Sequence, residues 1–194
     1  MGLLAALIPF IVMTGMHYSL LPLGFETLAN IGFDSIIMAP LLCANLAQGA
    51  AALAVAFKTK DSKLRSLGIV SSIPAFFAGV IEPAFFGVNL RFLKPLACAM
   101  VGAGIGGLFC GFMGIQATEI AEFPSLLNLT SFASSTGDPA LGIIMALIAG
   151  TIVVIITFAA TYVGYHDGSK ESVAIATKFD LIADVAESKQ AKTD

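Results

Sequence analysis

The chain has 194 residues, 57% of them hydrophobic and only 12% charged, with a formal net charge of −3 at pH 7 and a mean hydropathy of +0.91. That balance is too apolar for a soluble domain of this length, and no basic surface of the kind that binds nucleic acid is present. The three cysteines, Cys43, Cys98 and Cys110, lie in apolar segments without CxxC spacing or a His or carboxylate set beside them. They read as small buried hydrophobes, and neither a disulfide framework nor a metal site is expected. No Lys or Arg precedes the first apolar run, which argues against a secretory signal peptide.

Four stretches, roughly 2–20, 35–57, 95–115 and 139–165, come near the about 20 residues that a membrane-spanning helix needs. The first ends in Thr14-Gly15-Met16-His17-Tyr18. A membrane His serves either as a helix–helix hydrogen-bond donor or as a donor to a ligand hydroxyl, since a neutral imidazole loses little on desolvation. The connection 21–34 carries Glu26 and Asp34, which read as solvated loop charges. In the second span Asn45 and Gln48 stand at i and i+3 and share one helix face, either for interhelical packing or to line a cavity. Next comes Lys58-Thr59-Lys60-Asp61-Ser62-Lys63-Leu64-Arg65, the densest basic cluster before the tail, and the positive-inside rule puts it in the cytoplasm.

Residues 66–93 are too interrupted for one clean span. Here a single carboxylate, Glu82, sits in the apolar run Ser72-Ile73-Pro74-Ala75-Phe76-Phe77-Ala78-Gly79-Val80-Ile81-Glu82-Pro83-Ala84-Phe85-Phe86-Gly87-Val88-Asn89-Leu90. A charge at bilayer depth costs roughly 2.5–3.5 kcal/mol on insertion scales, so such residues face a cavity or a partner and mark a transport path. Pro83 removes a backbone donor, and Gly79 and Gly87 permit tight turns. Irregular backbone at membrane depth survives only where it is buried in protein or lines a watery cavity. A re-entrant element whose two ends both stay cytoplasmic fits Arg91 and Lys94 better than a full crossing. As a bland alternative, Glu82 caps backbone amides near Pro83.

Segment 95–115 contains Gly102 and Gly106 at four-residue spacing, a face for close helix packing. Segment 116–138 carries Glu119, Glu122 and Asp138 without Lys or Arg, which suits the outer side, and 139–165 returns. The amino and carboxy termini are then both expected in the cytoplasm. In the polar tail 166–194, Val173, Ile175, Phe179, Ile182 and Ala186 fall near helical spacing, compatible with a short amphipathic helix or with a linker. The expected fold is an all-α integral membrane protein of about four transmembrane helices plus a re-entrant hairpin.

Gly79-Val80-Ile81-Glu82-Pro83-Ala84-Phe85-Phe86-Gly87-Val88-Asn89-Leu90-Arg91 resembles the signature of enzyme IIC, the membrane component of phosphoenolpyruvate-dependent sugar phosphotransferase systems. The likeness is to the glucose superfamily, nearest its β-glucoside, sucrose and trehalose branch. Gly15-Met16-His17-Tyr18 is similar to that family's Gly-Val-His-Trp/His, and a third match is Asn45-Leu46-Ala47-Gln48-Gly49-Ala50-Ala51 followed by Phe57-Lys58-Thr59-Lys60. Ile81 departs from the family's Thr or Ser, and Trp is absent from the chain.

The resemblance covers residues 1 to about 165 and implies the carboxy-terminal transport half of a IIC domain in a bacterial plasma membrane. It implies sugar contacts at Glu82 and His17, and Asn45, Gln48 and Asn89 join the candidate set. A carboxylate that accepts two vicinal hydroxyls holds a sugar without phosphate or metal. The implied partners are the sugar (a β-glucoside or disaccharide), separate IIB and IIA domains, a missing amino-terminal IIC half and the lipid bilayer, with a homodimer when complete. No phosphoryl-accepting residue, cofactor or metal is expected in the chain itself. An ion-coupled secondary transporter and a non-transporting partner subunit are the rival readings.

Overall fold

A computed structural model describes residues 1–133 and 139–166; Asp138 and the tail residues from Val173 to Ala186 lie outside the described residues. The elements in order are α1 (Gly2–Met13), a 3-10 turn (Met16–Ser19), α2 (Leu20–Ile31), α3 (Met38–Lys58) and α4 (Ser62–Phe77). There follow α5 (Glu82–Ala84), continued by a π turn (Phe85–Asn89), then α6 (Leu93–Met113), a 3-10 segment (Leu126–Phe132) and α7 (Pro139–Gly164). Among the described residues there is no β-strand, and an isolated bridge joins Asp34 to Ala117. Also among the described residues, three helices, α3, α6 and α7, are long and apolar enough to cross a membrane. The 21 residues of α3 span about 31 Å, the thickness of a bilayer core.

The core is built around α3. Every residue from Met38 to Ala52 is buried, because α4, α6 and α7 pack along it and α1 touches it. Its run of Ala and Gly lets these helices come close. A methyl group on Gly68 of α4 would sit 2.8 Å from both the Ala52 carbonyl and Ala56 Cβ, and one on Gly49 of α3 would sit 3.1 Å from Ala75 Cβ. Helix α6 repeats the device on two faces. Gly102 and Gly106 meet Thr157 and Val153 of α7, whereas Gly104 and Gly107 meet Gly2, Ala5 and Ala6 of α1. Such small-residue contacts replace the hydrophobic drive that lipid cannot supply. Cys43 and Cys110 belong to this packing, with their sulfurs 3.6 Å apart across α3 and α6.

The contacts also define two ends. At one, Lys58 Nζ donates to the Tyr162 carbonyl near the end of α7, Arg65 donates to the Thr59 carbonyl at 3.1 Å, and Phe92 stacks edge-on against Tyr165 at 5.3 Å. At the other lie the start of α3, the Asp34–Ala117 bridge and Met1, which rests against Gly107 and Gly111 near the end of α6. Helix α4 leaves the basic end along α3, the chain turns at Gly79 (φ 73°), and residues 85–92 return to the end from which α4 started. In the π turn, Leu90 N–H donates to the Phe85 carbonyl at 2.8 Å.

Two expectations change here. The first apolar run is not one continuous helix: α1 stops after 12 residues because Gly15 adopts φ 73°, a left-handed conformation that glycine takes without strain. The chain reverses through the 3-10 turn, and 20–31 is a helix rather than a loop. Glu26 is exposed on it, but Asp34 is not a solvated loop charge. It is 1% exposed, and its Oδ2 accepts from the N–H groups of Ile37 (3.0 Å) and Met38 (2.8 Å). Those are orphan donors at the start of α3, which a carboxylate satisfies while also favouring the positive helix end. Backbone bonds of 2.7 Å in both directions to Ala117 fix it further. Replacing Asp34 with Ala should cost about 2 kcal/mol, from the lost cap and two unpaired amides, and Asn should cost less. Denaturant titration of the purified protein in detergent measures both.

Candidate functional site

The turns after α1 and α4 meet over the first half of α3. Gly15 reverses the chain so that His17 points into a cleft that is also lined by Val12, Tyr18, Leu21, Leu41, Asn45, Gly79, Ile81, Glu82 and the segment Glu122–Pro124. Glu82 opens α5, and Pro83 follows it within the first turn, where its missing N–H sacrifices no helical bond. Helix α5 begins without a side-chain cap at Ile81, and the Glu82 side chain beside it is half-buried. Its Oε2 is buried without a hydrogen-bond partner, as are both ring nitrogens of His17. Groups of this kind are costly to bury unsatisfied, and such exceptions call for a specific cause. The cleft volume is about 30 Å³, room for a couple of water molecules, so a larger ligand requires its walls to separate.

The remaining candidates divide. Asn45 lines the cleft, yet its Nδ2 donates to the Pro124 carbonyl at 2.8 Å. Gln48, one turn further along α3, faces elsewhere: its Oε1 accepts from Asn89 Nδ2 at 2.7 Å, and its carbonyl from the same nitrogen at 2.9 Å. Asn89 therefore ties the π turn to α3, and neither it nor Gln48 lines the cleft. Structure brings Glu82, His17 and Asn45 together and leaves Gln48 and Asn89 as a buried pair beside them.

Sequence reasoning missed the segment after α6. It carries acidic residues and reads as an outer loop, but it folds back to roof the cleft, with Pro124 and Ser125 buried. Asn128 Nδ2 donates to the Phe123 carbonyl at 3.1 Å, and Thr118 N–H donates to the Ser131 carbonyl at 2.8 Å. No local sequence pattern flags it, and in the fold Gly79 leaves it the room it needs. A methyl group on Gly79 would lie 2.8 Å from the Phe123 carbonyl oxygen.

The buried Glu82 Oε2 and the two His17 ring nitrogens thus share one cleft of a helical bundle. The profile of the family described as Phosphotransferase system, EIIC matches residues 1–104. The chain is 36% identical over 168 residues to the PTS system beta-glucoside-specific EIIBCA component of Bacillus subtilis (strain 168), covering 86% of this chain and 26% of that protein. Against the PTS system arbutin-, cellobiose-, and salicin-specific EIIBC component of Escherichia coli (strain K12) it is 31% identical over 183 residues, 93% of this chain and 37% of the relative. A trehalose-specific EIIBC component of Bacillus subtilis (strain 168) is 34% identical over 154 residues, 78% of this chain and 31% of the relative. No solved structure matches. The chain belongs to the EIIC family of the phosphotransferase system. It spans between 26% and 37% of the length of these relatives.

Gly79→Val should lower stability by about 2 kcal/mol or more, because a β-branched side chain at positive φ is strained and collides with the Phe123 carbonyl. Loss of thermal stability, with labelling of a cysteine placed at 123 becoming faster than in the parent, is the expected result.

Proposed function

We propose that this chain is the sugar-binding and translocating part of a phosphotransferase-system permease, and that it passes a β-glucoside or disaccharide to a separate IIB domain for phosphorylation. The observation that carries the reading is the pairing of Glu82 and His17, whose buried polar atoms lack partners in one cleft. An ionised carboxylate accepts from two neighbouring sugar hydroxyls, and the imidazole complements it as donor or acceptor. The relatives named for β-glucosides, for arbutin, cellobiose and salicin, and for trehalose support a sugar of this class. Residues 1–165 form the transport half and 166–194 a polar tail. An amino-terminal IIC half, IIB and IIA complete the carrier, and the complete carrier is a homodimer. The chain selects and moves the sugar while the phosphoryl chemistry takes place elsewhere.

In the membrane, α3, α6 and α7 span, and α4 with α5 is a re-entrant hairpin, because its entry and exit share the end that holds Lys58, Lys63, Arg65, Arg91 and Lys94. The positive-inside rule makes that end cytoplasmic, together with the exit of α7 toward the tail. Met1 then lies at the opposite, outer end, against the cytoplasmic amino terminus expected from counting 2–20 as one crossing. The reversal at Gly15 removes that crossing. Cysteines at 63 and 92 should both react only with cytoplasmic reagents, and one at 119 only from outside. Outside labelling of position 92 would make the hairpin a full span and overturn this topology.

For the site, titration calorimetry of the chain in lipid nanodiscs with a β-glucoside is the direct test. Glu82→Gln should weaken binding about tenfold or more, since a charge-assisted hydrogen bond is worth about 1.5–3 kcal/mol. His17→Ala should weaken it too, with folding intact by circular dichroism. Parent affinity in Glu82→Gln would remove the basis of the site.

A further inference from the structure

The cleft encloses about 30 Å³, whereas pockets that take small ligands start at about 300 Å³. One wall must therefore yield before a sugar reaches Glu82 and His17. Three of the walls are fixed. Val12 belongs to α1, which is keyed into α6: a methyl group on Gly107 would stand 2.8 Å from Ala5 Cβ. Leu41 and Asn45 are part of the buried stretch of α3. Glu82 opens the short helix whose continuation is pinned to α3 by the Asn89 amide, 2.7 Å from the Gln48 side-chain oxygen and 2.9 Å from its carbonyl.

The fourth wall, Glu122–Pro124, is held differently. Before it, Ala117 is bridged to Asp34 and Ile120 rests against Gly24 of α2; after it, Phe132 is buried. Between these anchors, 121–125 has no helical structure. Among the described residues, no backbone hydrogen bond ties 121–124 to another element. The bundle reaches this wall through one side chain: Asn45 Nδ2 donates to the Pro124 carbonyl at 2.8 Å. The bond from Asn128 to the Phe123 carbonyl comes from the excursion itself. In and under this wall, Glu82 Oε2, both His17 ring nitrogens and Ser125 Oγ are buried without partners. Water that enters as the wall lifts satisfies such atoms, which offsets part of the cost of opening.

We propose that residues 121–125 are a lid over the sugar site and that Asn45 is its latch rather than a sugar ligand. The proposal rests on the sugar-binding reading above and adds the step that precedes binding. A neutral hydrogen bond of ordinary net strength biases two states about fivefold, so the latch favours the shut lid without sealing it. Apparent affinity is then lower than the intrinsic affinity by the open fraction. Removing the latch should tighten sugar binding, whereas removing a sugar contact would weaken it.

The test is the labelling rate of Ser125→Cys by a methanethiosulfonate reagent, with the chain in lipid nanodiscs. Peptide mass spectrometry locates the adduct, so Cys43, Cys98 and Cys110 stay in place. Adding Asn45→Leu, which keeps the bulk and removes the donor, should speed labelling about fivefold. Asn45→Gln keeps a donor and should fall between the two. Gly79→Ala, whose methyl group would stand 2.8 Å from the Phe123 carbonyl oxygen, should also speed labelling, by displacing the lid from its other side. Without the labelling cysteine, Asn45→Leu should bind methyl glucoside up to about fivefold more tightly, through faster association. Tighter binding is a result that a misfolded variant cannot give. Unchanged labelling in Asn45→Leu, or weaker methyl glucoside binding by it, overturns the latched lid. If Glu82→Gln still loses binding in that case, the sugar site stands without a lid. If methyl glucoside does not bind the parent, or binds Glu82→Gln equally well, the sugar reading falls, and the labelling rates alone decide whether 121–125 is a lid.

Discussion

The close approach of helices to α3 is the constraint on which the molecule depends. In an apolar surrounding, helices gain little by hiding apolar surface from each other, so the contacts that hold them must come from shape. Along α3 the sequence is mostly Ala, Gly and Leu, and the partners present glycines of their own: Gly68 from α4, Gly106 from α6 against Cys43. The result is a helix buried on all sides through Ala52, against which both cleft-forming turns are aligned. His17 reaches it from α1, Glu82 from α4, and Pro124 is hung on it by Asn45. A single bulky residue at Gly68 would displace α4 and carry Glu82 away with it, although no polar atom of the site had changed.

Around that pillar the charges separate by end. The basic residues from Lys58 to Lys94 collect where α3 and α7 finish and α6 begins, whereas Asp34, Glu119 and Glu122 belong to the loops at the other end. Asp34 shows why the second end is not merely a set of solvated acids. Its carboxylate is consumed by the first turn of α3, and its backbone clamps the chain after α6 at Ala117. The clamp starts the excursion 115–133 close above the cleft, and the glycine at 79 lets the excursion settle onto the hairpin turn. One capped helix and one side-chain-free position thus decide where Phe123 lies.

Much of this was legible in the sequence, for physical reasons that differ by element. The spans near 35–57, 95–115 and 139–165 correspond to α3, α6 and α7 because a long apolar run has few other fates. The packing face at Gly102 and Gly106 was legible for the same reason. The run 2–20 misled because hydropathy counts residues and does not register that one glycine at positive φ reverses a chain. Asp34 misled because a carboxylate four residues before a helix looks the same in sequence whether it faces solvent or caps. The roof over the cleft was invisible, since it depends on contacts such as Asn45–Pro124, made across 79 residues of chain. No local pattern encodes those.

The polar residues of the first half of α3 and its neighbours separate by how well the fold satisfies them. Asn45 and Asn89 each spend their amide nitrogen on a backbone carbonyl of another element, and Asn89 also meets the Gln48 side chain. Their remaining orphan atoms, Gln48 Nε2 and Asn89 Oδ1, belong to neutral amides, for which the penalty is modest. Glu82 and His17 receive no such compensation from protein, and for a carboxylate the penalty is much larger. A fold that only needed polar glue at these two positions would be more stable with amides or hydroxyls there, which can bond within the bundle. Keeping an ionisable pair on two opposed turns is costly to stability, and under the proposed function the missing partner is the sugar. By the same comparison, Gln48 and Asn89 hold the hairpin against α3, while Glu82 and His17 keep polar atoms that no protein group meets.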